Sequence, residues 1–446
     1  MSRRNAGARR TPARVTTHSI SIDELAPGGS GVGHAVVAGE RRAIFVAHAA
    51  TGDEVEVAVD LASRPARGKV LRVLRAGPGR VTPACDSVER CGACDWMHLS
   101  PEAQRDARVS QLRAALPASF RDAPLTVHEA EDSVAYRTRA RVHVRASGGR
   151  AVTGLHAKGT HDVVEVGTCV ILHPALDRAR AALGPLLDGA HGQGEAQLAL
   201  GQDGKPVAEL RWEGRMPAAI FGRLESAVLA GAFRGFSVHL GDVSRPAVIG
   251  DPAPHMKGAD GQPLVLAAGG FAQASERSNV LLGQRVAAMA RDAALGGPGG
   301  TRAVELYAGA GNFTVLLARD FESLLTVESS APACDAARKN LAARGLRARV
   351  THADVDSFAV PPQTGLVVLD PPRTGARAAS LALAASRVKA IVYVSCDTAT
   401  LSRDLATLAA SYTPLAVESF AMFPQTSHAE TVISLRRASR DTRGSS

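Results

Sequence analysis

The chain has 446 residues, of which 45% are hydrophobic and 21% are charged, a composition that excludes a disordered or fibrous protein. Lys and Arg outnumber Asp and Glu by 52 to 43, and the resulting net charge of +9 favours a polyanionic partner such as nucleic acid. No run of about twenty apolar residues occurs, so the sequence predicts no membrane span.

The two ends of the chain share a basic, low-hydrophobicity composition. Residues 1–14 carry several arginines and lack the apolar core of a secretory signal. Residues 437–446 resemble them, so we expect a disordered basic arm and a disordered tail. Because nothing in the sequence directs export, we expect a cytoplasmic protein.

Residues 15–75 predict a small β-barrel. The segment HSISIDEL alternates polar and apolar residues from His18, and the turn Thr51-Gly52-Asp53 joins two further strands. The glycines of 28–33 indicate a flexible turn and not a phosphate loop, because no Lys-Ser/Thr pair follows them. Five short strands in about sixty residues are typical of an oligonucleotide-binding-like barrel.

A cluster of cysteines follows the predicted barrel. Cys85, Cys91 and Cys94 have the spacing C-x5-C-x2-C, and Gly92 makes the C-x2-C loop tight enough for two thiolates to approach one metal. Cys169 could supply a fourth thiolate from a distance. Four thiolates fit an iron–sulfur cluster or zinc. The alternative is three small buried thiols in a turn.

The segment 76–264 predicts a central domain of mixed α+β structure. At strand spacing, five of its basic residues fall on one face: Arg137, Arg139, Arg141, His143 and Arg145. Like charges in one row repel each other, which favours a bound anion such as an RNA phosphate. The alternative is the solvated outer face of an antiparallel sheet.

In residues 265–436 strands and helices alternate, which predicts a doubly wound parallel sheet of the α/β class. Ligands of such sheets bind at the carboxyl ends of the strands. Three features of chemical interest follow predicted strands. They are the turn Glu305–Phe313, the segment Asp370-Pro-Pro-Arg373, and Cys396 in the run IVYVSCD.

The turn after the first of these strands favours S-adenosylmethionine over a dinucleotide. Gly309 and Gly311 are present, but Thr314 stands where a dinucleotide fingerprint needs a third glycine. Glu328 ends the next strand, where its carboxylate could accept both ribose hydroxyls, and Asp354 would lie near an adenine. The alternatives are a helix-capping turn for the glycines and solvated surface positions for the acids.

Four motifs make the chain resemble the RNA (uracil-5-)-methyltransferase family, in its 23S-ribosomal-RNA branch with an iron–sulfur cluster. They are ELYAGAGNF, LDPPRTG, VSCDTATLSRDL and FPQTSHAE, and they occur with the cysteine cluster and a barrel that resembles a TRAM domain. The resemblance implies a methyltransferase domain over 265–436 and RNA, in particular 23S rRNA, as the partner. No obligate protein partner is evident.

The resemblance also implies roles for individual residues. Cys396 matches the nucleophile that adds to C6 of uracil, and Glu430 matches the base that removes the C5 proton. The implied S-adenosylmethionine site consists of Gln273, Tyr307, Gly309, Gly311, Asn312, Glu328, Asp354 and Asp370. The implied [4Fe–4S] ligands are Cys85, Cys91, Cys94 and Cys169. The candidate RNA-binding residues are Arg137, Arg139, Arg141 and Arg373.

Physical chemistry independently supports these roles. Thiolate addition at C6 makes C5 of uracil enolate-like and therefore nucleophilic. The C5 proton must then leave, which requires a general base such as a carboxylate. A stacked base cannot be attacked on its ring face, so the target has to be flipped out or unpaired. A basic barrel and an Arg-rich strand would serve to hold folded or single-stranded RNA.

Two positions depart from the family pattern, and three alternative functions compete with it. Asp397 replaces the usual Asn after the nucleophile, where it could cap a helix or raise the pKa of the thiol. Ser275 replaces the final Asn of the F-x-Q-x-N pattern. A 5-methylcytosine methyltransferase would carry a Pro-Cys motif, and an exocyclic-amine methyltransferase an aromatic residue at Arg373. A non-catalytic RNA-binding or assembly protein would not need both Cys396 and Glu430.

Overall fold

The computed structural model describes residues 15–37, 39–241, 243–266, 270–294 and 301–438, so the expected arm and most of the expected tail lie outside the described residues. The described chain forms two compact units. The first comprises the segment ending at Glu89 together with Cys94–Gln111 and Gln425–Ser427. The second comprises Arg90–Ala93, Leu112–Pro424 and the segment that starts at His428. The domain boundaries drawn from the sequence remain a prediction.

The first unit contains a closed barrel, as predicted. Its described strands are β1 (Val15–Leu25), β2 (Gly31–Val37), β3 (Glu40–Ala47), β4 (Glu54–Asp60) and β5 (Ala66–Arg75), in the order β1-β2-β3-β5-β4. Alternate side chains point inward, so Ile44, Val46, Val55 and Val57 are fully buried. Helix α1 (Pro101–Ala115) starts in this unit and ends in the second.

A mixed sheet in the second unit forms the centre of the chain. Its strands are β7 (Arg139–Ser147), β8 (Arg150–His156), β9 (Val163–Glu165), β10 (His191–Leu200), β11 (Pro206–Arg215), β12 (Gly235–Leu240) and β13 (Ala247–Gly250), joined by helices α2 (Pro174–Leu187) and α3 (Ala218–Leu229). The order is β13-β12-β11-β10-β7-β8-β9. Only the β11–β12 pair among these is parallel.

The second sheet of this unit is the predicted doubly wound sheet. Its strands are β6 (Leu125–His128), β14 (Arg302–Leu306), β15 (Ser323–Glu328), β16 (Arg349–His352), β17 (Leu366–Leu369), β18 (Ala390–Ser395), β19 (Tyr412–Phe420) and β20 (Glu430–Arg437). The order is β16-β15-β14-β17-β18-β20-β19-β6, with β14 to β18 parallel and β20 antiparallel to both neighbours. The order reverses between β14 and β17, which is where such sheets bind ligands.

Helices cover both faces of this sheet. They are α4 (Glu276–Ala293), α5 (Thr314–Asp320), α6 (Ala331–Ala342), α7 (Arg377–Ala385) and α8 (Thr398–Leu408). All residues of β17 and β18 are buried, as expected for central parallel strands. Ile391 and Tyr393 pack on the face that carries α7 and α8, whereas Val392 and Val394 pack on the face that carries α4. Within the described chain no helix has both the length and the apolar character needed to cross a bilayer.

Candidate active site

A cavity of about 880 Å³ lies at the carboxyl ends of the parallel strands in the second unit. Its lining includes almost every residue that the sequence predicted for catalysis and cofactor binding: Gln273, Tyr307, Gly309, Asn312, Glu328, Asp354, Asp370, Cys396 and Glu430. The candidate RNA-binding residue Arg373 lines it as well. Gly311 belongs to the same turn but does not line the cavity. The structure therefore brings together side chains from five consecutive parallel strands and from β20.

The turn after β14 has a backbone that few residue types adopt. Tyr307, Gly309 and Gly311 have φ values of +61°, +56° and +85°. A Cβ at Gly311 would lie 3.2 Å from the Cβ of Ala337, which explains why this position is glycine. The backbone N–H of Gly309 donates to Oε2 of Glu328 at 2.9 Å. The turn is thus fixed directly to the carboxylate that ends β15.

The carboxylates beyond β15 and β16 have defined positions. Oε1 of Glu328 accepts a hydrogen bond from the backbone N–H of Ser330 at 2.8 Å, which orients the group at the cavity wall. Asp354 accepts from the hydroxyl of Ser357 at 2.9 Å. The Tyr307 hydroxyl donates to Asp356 at 2.8 Å, and burial raises the pKa of Tyr307. The two hydrogen-bonded carboxylates could accept from the hydroxyls of a ribose. The glycine turn beside them could lie close to an uncharged part of the same ligand.

Asn312 and Ser275 serve to connect elements. The side-chain amide of Asn312 exchanges hydrogen bonds with Asn279 of α4, at 2.8 Å and 3.1 Å between N and O atoms. Ser275 is the N-cap of α4, and its Oγ accepts from the backbone N–H of Ser278 at 3.3 Å. Ser275, the last residue of the F-x-Q-x-S pattern, therefore starts α4, and Asn312 links the glycine turn to the same helix.

Cys396 directly follows β18, and Glu430 is the first residue of β20. Ser395 of β18 pairs with Thr431 of β20 in an antiparallel ladder, so one further step in that register brings Cys396 beside Glu430. Cys396 is half-buried, and Glu430 is only 3% exposed. Burial raises the pKa of the Cys396 thiol to about 11, with further increases from Glu430 and Asp370 and an opposing effect of Arg373.

Three carboxyl groups of the cavity are buried, and burial raises the pKa of each. Burial raises the pKa of Glu305 to about 8, although the Thr314 hydroxyl donates to Glu305 at 2.6 Å and opposes the increase. Burial also raises the pKa of Asp370 to about 7. The pKa of Glu430 is well above its ordinary value because of burial and the charge of Asp370, while Arg373 lowers it. Glu305 and Asp370 can therefore hold or accept protons near neutral pH.

Asp397 caps the helix that follows the thiol. It is the N-cap of α8, and its Oδ1 accepts from the backbone N–H of Thr400 at 2.8 Å. Of the two roles left open by the sequence, the structure therefore supports the helix cap. The carboxyl groups that raise the pKa of Cys396 are Glu430 and Asp370.

Several cavity residues are not predicted by the sequence. No sequence motif indicates Asp356, because its hydrogen bond with Tyr307 forms only in the folded chain. Phe423 and His428 belong to the FPQTSHAE motif, in which the sequence assigns a role to Glu430 alone. Phe271 lies two residues before Gln273, and its side chain is 80% exposed while lining the cavity.

The predicted row of arginines is not uniformly exposed. β7 begins at Arg139, so Arg137 precedes the strand, and its guanidinium lies 5.7 Å from the centre of the Phe423 ring. Arg139 is 7% exposed and donates to the carbonyl of Gly270 at 3.3 Å. Arg141 and Arg145 are exposed on the outer face. Only the later part of the strand therefore presents the expected cationic surface.

The four candidate cluster ligands are divided between the two compact units. All six cysteines lie within the described residues, and they form no disulfide. Cys85 and Cys94 belong to the first compact unit, and Cys91 and Cys169 to the second. Among the described residues, no group of three or more His, Cys, Asp or Glu side chains is arranged to hold a metal ion. The cluster predicted from the cysteine spacing therefore stays a prediction.

Comparisons with known proteins give a consistent result. A family model described as tRNA (Uracil-5-)-methyltransferase matches residues 279–348 and 347–438. The 23S rRNA (uracil(1939)-C(5))-methyltransferase RlmD of Chromohalobacter salexigens is 31% identical over 98% of this chain and 92% of that protein. The enzyme of the same name from Halomonas elongata is 30% identical, over 97% of this chain and 92% of that protein.

A solved structure shares the fold. The crystal structure of Pyrococcus abyssi tRNA (uracil-54, C5)-methyltransferase in complex with S-adenosyl-L-homocysteine matches with a TM-score of 0.71 at 21% identity. The match covers 94% of this chain and all of that chain. At this identity the similarity concerns the fold, whereas the full-length relatives at 30% identity or more establish the family. The chain therefore belongs to the RNA (uracil-5-)-methyltransferase family, whose enzymes depend on S-adenosylmethionine.

Proposed function

We propose that this protein transfers a methyl group from S-adenosylmethionine to C5 of a uridine in 23S rRNA. The observation that carries the proposal is the adjacency of Cys396 and Glu430 across the β18–β20 pair, in the cavity that also contains the glycine turn and Glu328. Two full-length relatives named as 23S rRNA enzymes support ribosomal over transfer RNA. Such a substrate would place the protein in the cytoplasm.

The cofactor would occupy the part of the cavity lined by Tyr307, Gly309, Glu328 and Asp354. When bound, S-adenosylmethionine supplies an electrophilic methyl group on a cationic sulfonium. Glu328 would bind the ribose hydroxyls, because Gly309 and Ser330 hold its carboxylate at the end of β15. A cation in this cavity favours the ionised form of the nearby carboxyl groups and lowers their pKa values.

Cys396 and Glu430 would carry the covalent chemistry. As a thiolate, Cys396 would add to C6 of the uracil, which forms an S–C6 bond and moves the electron pair of the C5–C6 double bond toward C5. C5 would use that electron pair to take the methyl group, the bond between the methyl carbon and the sulfonium sulfur would break, and neutral S-adenosylhomocysteine would leave. Glu430 in its ionised form would then take the remaining proton of C5. The electrons of that C–H bond re-form the double bond, and the S–C6 bond breaks with release of the thiolate. A buried carboxylate with a raised pKa suits this proton transfer.

We further propose that Cys85, Cys91, Cys94 and Cys169 bind a [4Fe–4S] cluster, with zinc as the alternative. The support is the C-x5-C-x2-C spacing and the resemblance to the family branch with an iron–sulfur cluster, which implies these four cysteines as ligands. No step of the reaction depends on this group. Elemental analysis of anaerobically purified protein should give about four iron atoms per chain. Zinc without iron would contradict the cluster and support the alternative.

The experiment that tests the function is mass-spectrometric mapping of 5-methyluridine in total RNA from cells with and without this gene. We expect the loss of one 5-methyluridine from 23S rRNA, which returns with the wild-type gene and not with Cys396→Ala. A changed 5-methylcytidine would instead support a cytosine enzyme. An unchanged pattern of methylated nucleotides would contradict catalysis and favour a non-catalytic RNA-binding protein.

A further inference from the structure

Asp404 is a buried carboxylate of α8 to which the proposed reaction assigns no role. Its side chain is 1% exposed, and it lies about two helical turns after Asp397, the cap of the same helix. A buried carboxylate destabilises a protein unless hydrogen bonds compensate for its lost hydration. The partners of Asp404 therefore indicate which part of the molecule it serves.

Asp404 connects the strand that precedes the thiol to the segment that follows the double proline. Its Oδ2 accepts from the Tyr393 hydroxyl at 2.8 Å and from the backbone N–H of Ala376 at 2.7 Å. Its Oδ1 accepts from Nε of Arg403 at 2.8 Å, and Nη2 of Arg403 donates to the carbonyl of Thr374 at 2.9 Å. All these groups lie in the second compact unit.

Both connected segments carry residues of the cavity. Tyr393 lies in β18, which leads directly to Cys396. Ala376 ends the loop of residues 370–376, here called the DPPR loop, which presents Asp370 and Arg373 to the cavity. Asp404 therefore joins β18, which leads to Cys396, to the DPPR loop, which carries Asp370 and Arg373.

The DPPR loop is packed closely against α8. Gly375 has a φ of +74°, and its backbone N–H donates to the carbonyl of Pro372 at 2.8 Å. A Cβ at Gly375 would lie 2.6 Å from Oδ2 of Asp404 and 3.0 Å from the Cβ of Thr400. Only glycine lets the loop approach the helix this closely, so the loop has little freedom to shift.

We propose that Asp404 is a positioning residue that sets the placement of Arg373 and Asp370 relative to Cys396. The inference rests on the proposed function, since this placement matters only if Cys396 reacts as the nucleophile. Asp404 itself does not line the cavity. It acts through Tyr393 on one side and through the Ala376 amide on the other.

The charges of Asp370 and Arg373 make this placement measurable. Burial, Glu430 and Asp370 raise the pKa of Cys396, and Arg373 lowers it by less than Asp370 raises it. If the DPPR loop moves away, the thiol loses both Asp370 and Arg373 and becomes less buried, while Glu430 stays in place on β20. The pKa of the thiol then falls, and the fraction of thiolate at a given pH rises tenfold for each unit of that decrease.

The first test measures the alkylation of Cys396 by iodoacetamide between about pH 8 and pH 9.5, followed by mass spectrometry of its peptide. We expect Asp404→Asn to speed this reaction at least about threefold, with the rate-against-pH curve moved to lower pH. A rate equal to or below that of the wild type would overturn the proposal. If Asp404→Asn does not fold, Tyr393→Phe decides, with a smaller increase expected and no increase overturning it.

Glu418→Gln provides a matched control for stability. Glu418 is 3% exposed in the same unit and binds Arg285 of α4 and His128 of β6, two elements separate from the DPPR loop and from α8. Both substitutions should lower Tm. Only Asp404→Asn should change the alkylation of Cys396. An equal change in Glu418→Gln would indicate a general structural effect and overturn the proposal.

The second test measures methyl transfer to rRNA purified from cells that lack this gene. We expect Asp404→Asn to lower kcat by about tenfold or more with little change in KM for S-adenosylmethionine, because a small misplacement near reacting groups costs rate more than binding. A higher KM with an unchanged kcat would overturn the inference. If the wild type transfers no methyl group, the proposed function fails, while the alkylation test still decides the role of Asp404.

Discussion

Cys396 has a thiol that is almost entirely protonated at neutral pH when its pKa is about 11. Burial contributes most to that value, and the neighbouring Glu430 and Asp370 add to it. Two features oppose the increase: Arg373 at the cavity wall, and the cationic cofactor that the family uses. The thiol is therefore expected to become reactive only in the assembled complex, which protects it from unproductive reactions.

Substitution of Cys396 should prevent the covalent protein–RNA adduct, whereas substitution of Glu430 should make the adduct accumulate. Cys396→Ala should abolish methyl transfer but retain RNA binding, because it removes only the nucleophile. Glu430→Gln should accumulate a protein–RNA adduct that survives denaturing electrophoresis, since the C5 proton is no longer removed. The double variant is the control and should form no adduct. An active Cys396→Ala protein would contradict the assignment of the nucleophile.

Glu305 should make the folded state pH-dependent. Its pKa is raised from 4.5 to about 8 in the folded protein, so it binds a proton more tightly when folded than when unfolded. Its contribution to stability is full below pH 4.5 and disappears as the pH rises through 8. We expect Glu305→Gln to lose less unfolding free energy than the wild type between pH 5 and pH 8.

Urea unfolding at these two pH values measures the difference for Glu305. The glutamine retains an oxygen that can accept from the Thr314 hydroxyl, so packing should change little. A wild-type and a variant protein with the same pH dependence would contradict the raised pKa of Glu305.

Helix α8 shows how an element sets the position of a reactive group. The chain leaves β18 at Ser395, and the Asp397 side chain starts the helix by accepting from the Thr400 backbone at 2.8 Å. Cys396 therefore has only one residue between itself and a fixed helix start. The same helix carries Asp404, which holds the DPPR loop. One element thus fixes both the thiol and its charged neighbours.

Removal of this cap should weaken the element. Asp397→Ala should cost about 1 kcal/mol of unfolding free energy, because the Thr400 N–H loses its acceptor. Asp397→Asn restores the residue usual in the family and should cost much less, as Asn is also a good N-cap. Urea denaturation compares the two. Equal stability of the alanine and asparagine variants would contradict the capping role.

The net charge of +9 favours binding of RNA by the molecule as a whole. On the outer face of β7, Arg141 forms an ion pair with Glu195 at 3.0 Å, and Arg145 is exposed near His161. His143 and His156 stack beside them with ring centres 3.5 Å apart. Exposed arginines next to aromatic rings are typical of surfaces that bind single-stranded RNA.

Replacing Arg141 and Arg145 by Gln should therefore weaken RNA binding at low salt. The slope of log K against log salt should flatten by about one for each phosphate that the protein no longer neutralises. Arg338→Gln is the control, because Arg338 is also exposed and ion-paired, with Asp335, but lies on α6, outside this sheet. Filter binding of 23S rRNA fragments over a range of salt concentrations measures the slope. An unchanged slope would support a merely solvated face.

The sequence by itself determined the barrel, the doubly wound sheet and the positions of most cavity residues. Strand periodicity, glycine turns and strand ends are local features, and the carboxyl ends of neighbouring parallel strands necessarily converge. Cys396 follows such a strand, whereas Glu430 was assigned to the same site only through the resemblance to the RNA (uracil-5-)-methyltransferase family.

Only the tertiary structure decided how those residues act on one another. The antiparallel β20 beside β18 places Glu430 close to Cys396, and it is burial in that position that raises both pKa values. Likewise, Arg139 is buried and donates to the carbonyl of Gly270, which strand spacing alone does not reveal. Pairing register and burial depend on contacts between residues far apart in the chain, so local patterns cannot specify them.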